Sequence, residues 1–183
     1  MRGGAGATTS AWMAEPVPGH PEARSRAGFS PCRRYRYSLV RVWDASKPRV
    51  AFCMLNPSTA DERKNDPTVR RCVGFALDRG FGSLEVVNIF SLRSTDPKAL
   101  AASEEPVGAS TDAAIRRAAR RCDVFVCAWG AHGRLGERGL RVRRMLRRVV
   151  ERPEKLVTLG ETGEGHPKHP LYVRGDQPFV PLD

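Results

Sequence analysis

The stretch that most restricts the fold is Val50-Ala51-Phe52-Cys53-Met54-Leu55, six apolar residues that give way at once to Asn56-Pro57-Ser58-Thr59-Ala60-Asp61. An apolar run without polar alternation suits a strand covered on both faces, as in a parallel sheet flanked by helices. The polar cluster then lies at that strand's carboxyl end, where open α/β sheets bind ligands because loops and helix amino ends converge there. Three later runs repeat the theme: Leu84 to Phe90, Val124 to Ala128 and Lys155 to Leu159. Between them lie helical periodicities. Val69, Cys72, Val73, Ala76 and Leu77 follow the Asp66-Pro67 start signal and stop at Gly80; Ile115, Ala118, Ala119 and Cys122 follow Ser110-Thr111-Asp112; Val142, Met145, Leu146 and Val149 form the third stripe. Strands alternating with helices through short connections predict an α/β three-layer sandwich around a central, mostly parallel sheet of four to five strands. Ahead of it, Tyr35 to Trp43 mixes aromatic and β-branched residues with arginine and reads as a strand exposed on one side. Residues 1–28 lack periodicity and read as a disordered leader to a single domain over 29–183.

The formal net charge of +11 is concentrated rather than spread. Residues 110–152 hold twelve arginines against four acidic residues, and residues 1–34 hold five against two, while the remainder balances. A basic surface of this kind is the footprint of a polyanion partner, DNA or RNA, or of a nucleotide-like small molecule. Arginine-rich coding produces the same composition, so placement rather than number carries the inference. Arg141, Arg144 and Arg148, opposite the apolar stripe of their helix, are the expected nucleic-acid contacts. No apolar run approaches the roughly 20 residues that span a bilayer, and no signal-type core opens the chain; a cytoplasmic protein without membrane contact is expected. The five cysteines are scattered without C-x-x-C spacing and read as core residues. With only His166 and His169 in H-x-x-H spacing to add, no metal and no cofactor is expected. Phosphate-loop, dinucleotide and serine-elbow signatures are missing, which counts against those enzyme classes.

Four strand tips are expected on one edge, contributed by residues 56–61, 88–93, 129–132 and 162–172. The amides Asn56 and Asn88 suit the donor–acceptor edge of a nucleobase, and Trp129 or Tyr172 suits its flat face. Asp61 is placed to hold a water as general base, with His169 or His166 set against a developing anion. Pro57, Ser58, Thr59, Asp66 and Thr162 complete the lining, and Arg70 and Arg93 supply charge. Each has a plainer alternative. Asn56 to Thr59 makes a turn, Asp66 caps a helix, Asn88 ties loops together, Trp129 packs in the core, and the histidines sit in an exposed loop.

The motifs M-L-N-P-S-T-A-D, N-D-P-T-V-R-R-C, V-V-N-I-F-S-L-R-S-T-D-P, C-A-W-G and L-G-E-T-G-E-G-H-P-K-H-P-L-Y, taken in order, resemble the bacterial and phage family catalogued as domain of unknown function 1643. A second, weaker likeness is to the uracil-DNA glycosylase superfamily, whose first strand ends in a water-holding loop and whose second carries a base-reading Asn. That resemblance implies a glycosylase-like fold and an N-glycosidic-bond hydrolase acting on a modified or flipped base. Asn56 and Asp61 would then orient water, Asn88 would read the base and His169-Pro170 would touch the strand. Met54 stands where that superfamily has glycine, and no aromatic residue closely follows Pro57.

Overall fold

In the computed structural model, which describes residues 8–12 and 15–182, the opening apolar run becomes β4 (Arg49–Met54) at the centre of the sheet. β5 (Ser83–Asn88) and β6 (Val124–Cys127) flank β4 in parallel, and β7 (Leu156–Thr158) continues in parallel beyond β6. The four apolar runs thus become neighbouring strands in parallel within a larger sheet.

The sheet then extends past them. β3 (Arg36–Val42) pairs antiparallel with β5, β2 (Arg24–Phe29) with β3, and β1 (Thr8–Trp12) with β2; β8 (Val180–Pro181) adds antiparallel to β7. The order is β1-β2-β3-β5-β4-β6-β7-β8, a mixed sheet of eight strands among the described residues rather than four or five mostly parallel ones. Residues 24–28, expected in a disordered leader, form most of β2. Ser25, Ala27 and Phe29 turn inward and Arg24 and Arg26 outward, a half-buried alternation too short to stand out in sequence.

Helices cover both faces. α1 (Pro67–Asp78) lays Val69, Cys72, Val73, Phe75 and Ala76 against Leu39, Phe52 and Val86. On the opposite face α3 (Thr111–Arg121) and α4 (Arg138–Val149) cover Ala51, Cys53, Val87, Phe125 and Cys127, while α2 (Pro97–Ala101) lies in the β5–α3 connection. Cys53, Cys72, Cys122 and Cys127 are buried free thiols, as their positions in apolar runs suggest. No helix is long and apolar enough to cross a membrane among the described residues.

One irregularity shapes the rest. Gly28 pairs with Ser38 but Phe29 pairs with Arg36, so Tyr37 is an extra residue on β3. Such a bulge resets the side-chain alternation. Arg36 thereby joins Leu39 and Arg41 on the α1 side, and both arginines are fully buried. The inward face of β3 is therefore charged, which its sequence does not suggest.

Candidate functional site

The loop after β4 carries Asn56, Asp61 and Asp66 and the end of β5 carries Asn88, all expected from the sequence to line a ligand site, and beside them lie the two buried arginines. Arg36 donates from Nη1 to the Ala60 carbonyl (2.7 Å) and from Nη2 to Asn88 Oδ1 (3.4 Å). Arg41 donates from Nε to Asn65 Oδ1 (3.0 Å) and from Nη2 to the carbonyls of Asp61 (2.6 Å) and Lys64 (3.1 Å); Nη1 reaches Ser25 Oγ. Burial lowers both guanidinium pKa values to about 10, against the pull of nearby Asp66 and Asp61.

The remaining polar atoms of the tip are largely engaged with the loops themselves. Asn56 Nδ2 donates to the Ser94 (2.8 Å) and Pro57 (3.2 Å) carbonyls, and Ser94 N–H returns a bond to Pro57 O (2.9 Å). That latch joins the loop after β4 to the loop after β5, with Pro57 buried, Ser58 half-buried and Thr59 exposed. Asp66 caps α1, its Oδ1 accepting from Val69 N–H (2.8 Å) and its Oδ2 from Ala60 N–H (3.4 Å). Asp61 Oδ1 accepts from the Arg63 and Lys64 amides (2.8 and 2.9 Å). Partial burial opposes its charge, yet those amides with Arg41 and Arg93 hold its carboxyl below the usual range. Asn88 Nδ2 and Arg36 Nε are buried without partners.

The expected charge clamp divides. Arg70 is exposed and grips Glu15 through Nε (2.6 Å) and Nη2 (3.1 Å). Arg93 lies half-buried with its guanidinium 5.2 Å from the Phe29 ring. His169 accepts from Leu171 N–H at Nδ1 (3.4 Å), and burial depresses its pKa to about 4 against the opposing charge of Asp66. It is a neutral imidazole at pH 7, so it meets an anion as a dipole and not as a cation. Tyr172 is 84% exposed with its ring 5.5 Å from that of His169.

A separate hollow of about 280 Å³ opens beside the β6 tip, lined among others by Trp129, Arg134, Leu140, Arg143, His166 and Pro167. Trp129 is only 2% exposed, because Gly133 and Gly139 close around it: a Cβ at either would stand 2.1 Å from Cδ1 or 2.7 Å from Nε1. Gly130, at φ +73°, turns the chain so that its N–H meets Pro167 O (2.8 Å). Thr162 Oγ1 accepts from His166 N–H (3.2 Å), closing the turn that carries the imidazole to the rim. Arg143 pairs with Glu161 (2.7 Å), and Arg134 and His166 both reach Glu164. The sequence expectation puts Trp129 and His166 in one hollow with Asn56, Asn88 and His169; the lining here has Trp129 and His166 without those three. It adds Arg134, Leu140 and Arg143, which the sequence reading does not place at a site and for which the available signal is the glycine pair beside the tryptophan.

Outside the Trp129 hollow, the helical layer presents Arg117, Arg120 and Arg121 on α3 and Arg141, Arg144, Arg147 and Arg148 on α4. All seven are exposed, and none makes an ion pair among the described residues. Arg138 behaves differently: it is buried, donates to Ile89 O (2.8 Å) and pairs with Asp112.

No curated protein and no solved structure gives a significant match to this chain, so the glycosylase likeness has no support from comparison. The family model described as protein of unknown function (DUF1643) matches residues 36–171, most of the length and every element from β3 through the strand-tip loops, and the chain belongs to that family.

Proposed function

We propose that this protein is a nucleic-acid-binding domain that carries the phosphate backbone across α3 and α4 and receives one base or nucleotide end in the Trp129–His166 hollow. The observation that carries the reading is the set of seven exposed arginines on one helical layer, none in an ion pair among the described residues and only Arg117 and Arg121 facing a carboxylate, that of Glu85. Adjacent like charges repel, and a polyanion relieves that repulsion while releasing its own condensed counterions. The hollow adds an indole edge, with Arg134, Arg143 and His166 on its lining beside Glu137 and Glu164. Recognition is favoured over base hydrolysis. Asn56 and Asp61, the water-orienting pair of the glycosylase reading, direct polar atoms to their own loops, and Asn88 is 2% exposed.

The test is the salt dependence of binding to a labelled duplex. Each arginine that neutralises a phosphate adds about 0.9 to the slope of log Kd against log salt. Replacing Arg141, Arg144, Arg147 and Arg148 with Gln is expected to flatten the slope by roughly 2–4 without changing the melting curve. Failure to bind duplex or single strand at low ionic strength overturns the proposal. The size of the hollow favours one second reading, a small nucleotide-like ligand held there alone. Thermal stabilisation by mononucleotides without oligonucleotide binding would select it.

A further inference from the structure

On the α3 side of the sheet the helices cover β4, β5 and β6, and beyond α3 a trough of about 680 Å³ runs over β2 and β3. Arg24 and Arg26 of β2 stand on one side and Arg117 and Arg121 of α3 on the other, with Val40 and Val42 between them. Its floor holds a carboxylate. Glu85 sits in β5 between Val40 of β3 and Ala51 of β4, and like Val87 it points toward α3. It is 3% exposed and lines the trough.

Glu85 is balanced in charge and deficient in hydrogen bonds. Arg49 Nη1 stands 3.8 Å from Oε2, and Arg121 and Arg117 act on the carboxylate from above, yet the buried Oε2 has no hydrogen-bond partner among the described residues. Burial pushes its pKa up, with those three guanidiniums opposing the rise. A buried acceptor left open is costly, and the missing partner is an N–H donor. Around it lie cations that suit phosphate. Together they describe a ligand with donors at its centre and anions at its ends.

We propose that this trough binds a nucleic-acid strand through one guanine, whose N1–H and N2 amine donate to Glu85 while the flanking phosphates rest on Arg26, Arg117 and Arg121. Guanine is the standard base that places two donors side by side on its pairing edge, matching the two oxygens of one carboxylate. Adenine offers one such amine, and thymine sets a single imide N–H between two carbonyls. The inference rests on the nucleic-acid reading above and adds a base preference and a second contact surface to it.

The experiment uses the full chain and two fluorescein-labelled single strands, an octamer of thymidines and the same octamer with one central guanine. The wild type is expected to bind the guanine strand about tenfold more tightly, the range of a good bidentate pair. Glu85→Gln, which presents one acceptor and one donor, should bring the two affinities within twofold of each other. Inosine in place of guanine, which lacks the N2 amine, should lose a large part of the preference. Glutamines at both Arg117 and Arg121 should weaken both strands alike, and circular dichroism verifies that each variant is folded. Equal wild-type affinities with a steep salt dependence overturn the trough assignment and leave the nucleic-acid reading standing; so does a preference that survives in folded Glu85→Gln. Absence of binding by either strand overturns both.

Discussion

Replacing Arg41 with alanine should destabilise the protein by about 3–5 kcal/mol, the range for removing one partner of a buried charged network. The estimate comes from its surroundings. The side chain is fully buried and donates to Asn65 Oδ1, to the carbonyls of Asp61 and Lys64 and to Ser25 Oγ. With a further bond to the Val40 carbonyl, five bonds from a charged donor at about 1.5–3 kcal/mol each would amount to roughly 8–15 kcal/mol if they added. Against that, burial has lowered the guanidinium pKa from 12.5 to about 10, so alanine recovers about 3 kcal/mol of desolvation. Water entering the space re-solvates part of the freed carbonyls and brings the loss to the stated range. For a chain of this size each kcal/mol moves Tm by about 2–4 °C, so calorimetry should register a fall of about 6–20 °C. The same bonds pin the loop that carries exposed Arg63 and Lys64, so trypsin should cut there faster in the variant while wild type resists. Arg41→Lys keeps the charge but not the fork and should lose more than half as much. An alanine variant that melts within about 2 °C of wild type, with unchanged trypsin kinetics, would refute the claim that Arg41 organises the tip.

Two further outcomes follow from the same packing. His169 has its pKa lowered to about 4 in the fold, so the unfolded chain takes up a proton first as the pH falls. The neutral-imidazole contribution is complete above about pH 6.5 and is lost between there and about pH 4, with an upper bound of about 3 kcal/mol. Melting curves across that window should fall less steeply for His169→Gln; parallel curves would show that the imidazole is not desolvated. At Gly133 a methyl group would lie 2.1 Å from Trp129 Cδ1, whereas at Gly74 inside α1 it meets nothing within 4 Å. Gly133→Ala should cost about 2–4 kcal/mol by overpacking, and Gly74→Ala should gain about 0.5–1 kcal/mol of helix propensity. Denaturant midpoints that rank the two in the opposite order would contradict this account of the tryptophan's frame.

What was legible in the chain was local and periodic. Asp66-Pro67 announces α1, and the structure bonds that carboxylate to the Val69 amide at 2.8 Å. The apolar runs announce β4, β5 and β6 as buried strands, although Glu85 and Asn88 interrupt that of β5. What escaped depends on partners distant in sequence. β2 has a single apolar row, and the antiparallel partner that stabilises it is β3, beyond a turn of six residues. The inward turn of Arg36 depends on one extra residue at Tyr37, and register is not a property of composition. Asn88 was open between a loop tie and a ligand contact; its bond to Arg36 gives it a structural partner, although its Nδ2 remains unpaired.

Arginine therefore does two opposite things in this protein, and a charge count merges them. Arg36, Arg41 and Arg138 are enclosed and bonded to carbonyls or carboxylates, so their charge is already committed within the fold. The arginines of α3 and α4 that face solvent have no such commitment, and a cation without an internal partner is what a polyanion can recruit. A strand tip whose amides and carboxylates mostly serve its own loop backbone and two buried guanidiniums has little left for a ligand. On the proposed nucleic-acid reading, binding energy would come from the helical layer and the hollows at its borders, where an indole edge at Trp129 and the unpartnered Oε2 of Glu85 lie beside arginines.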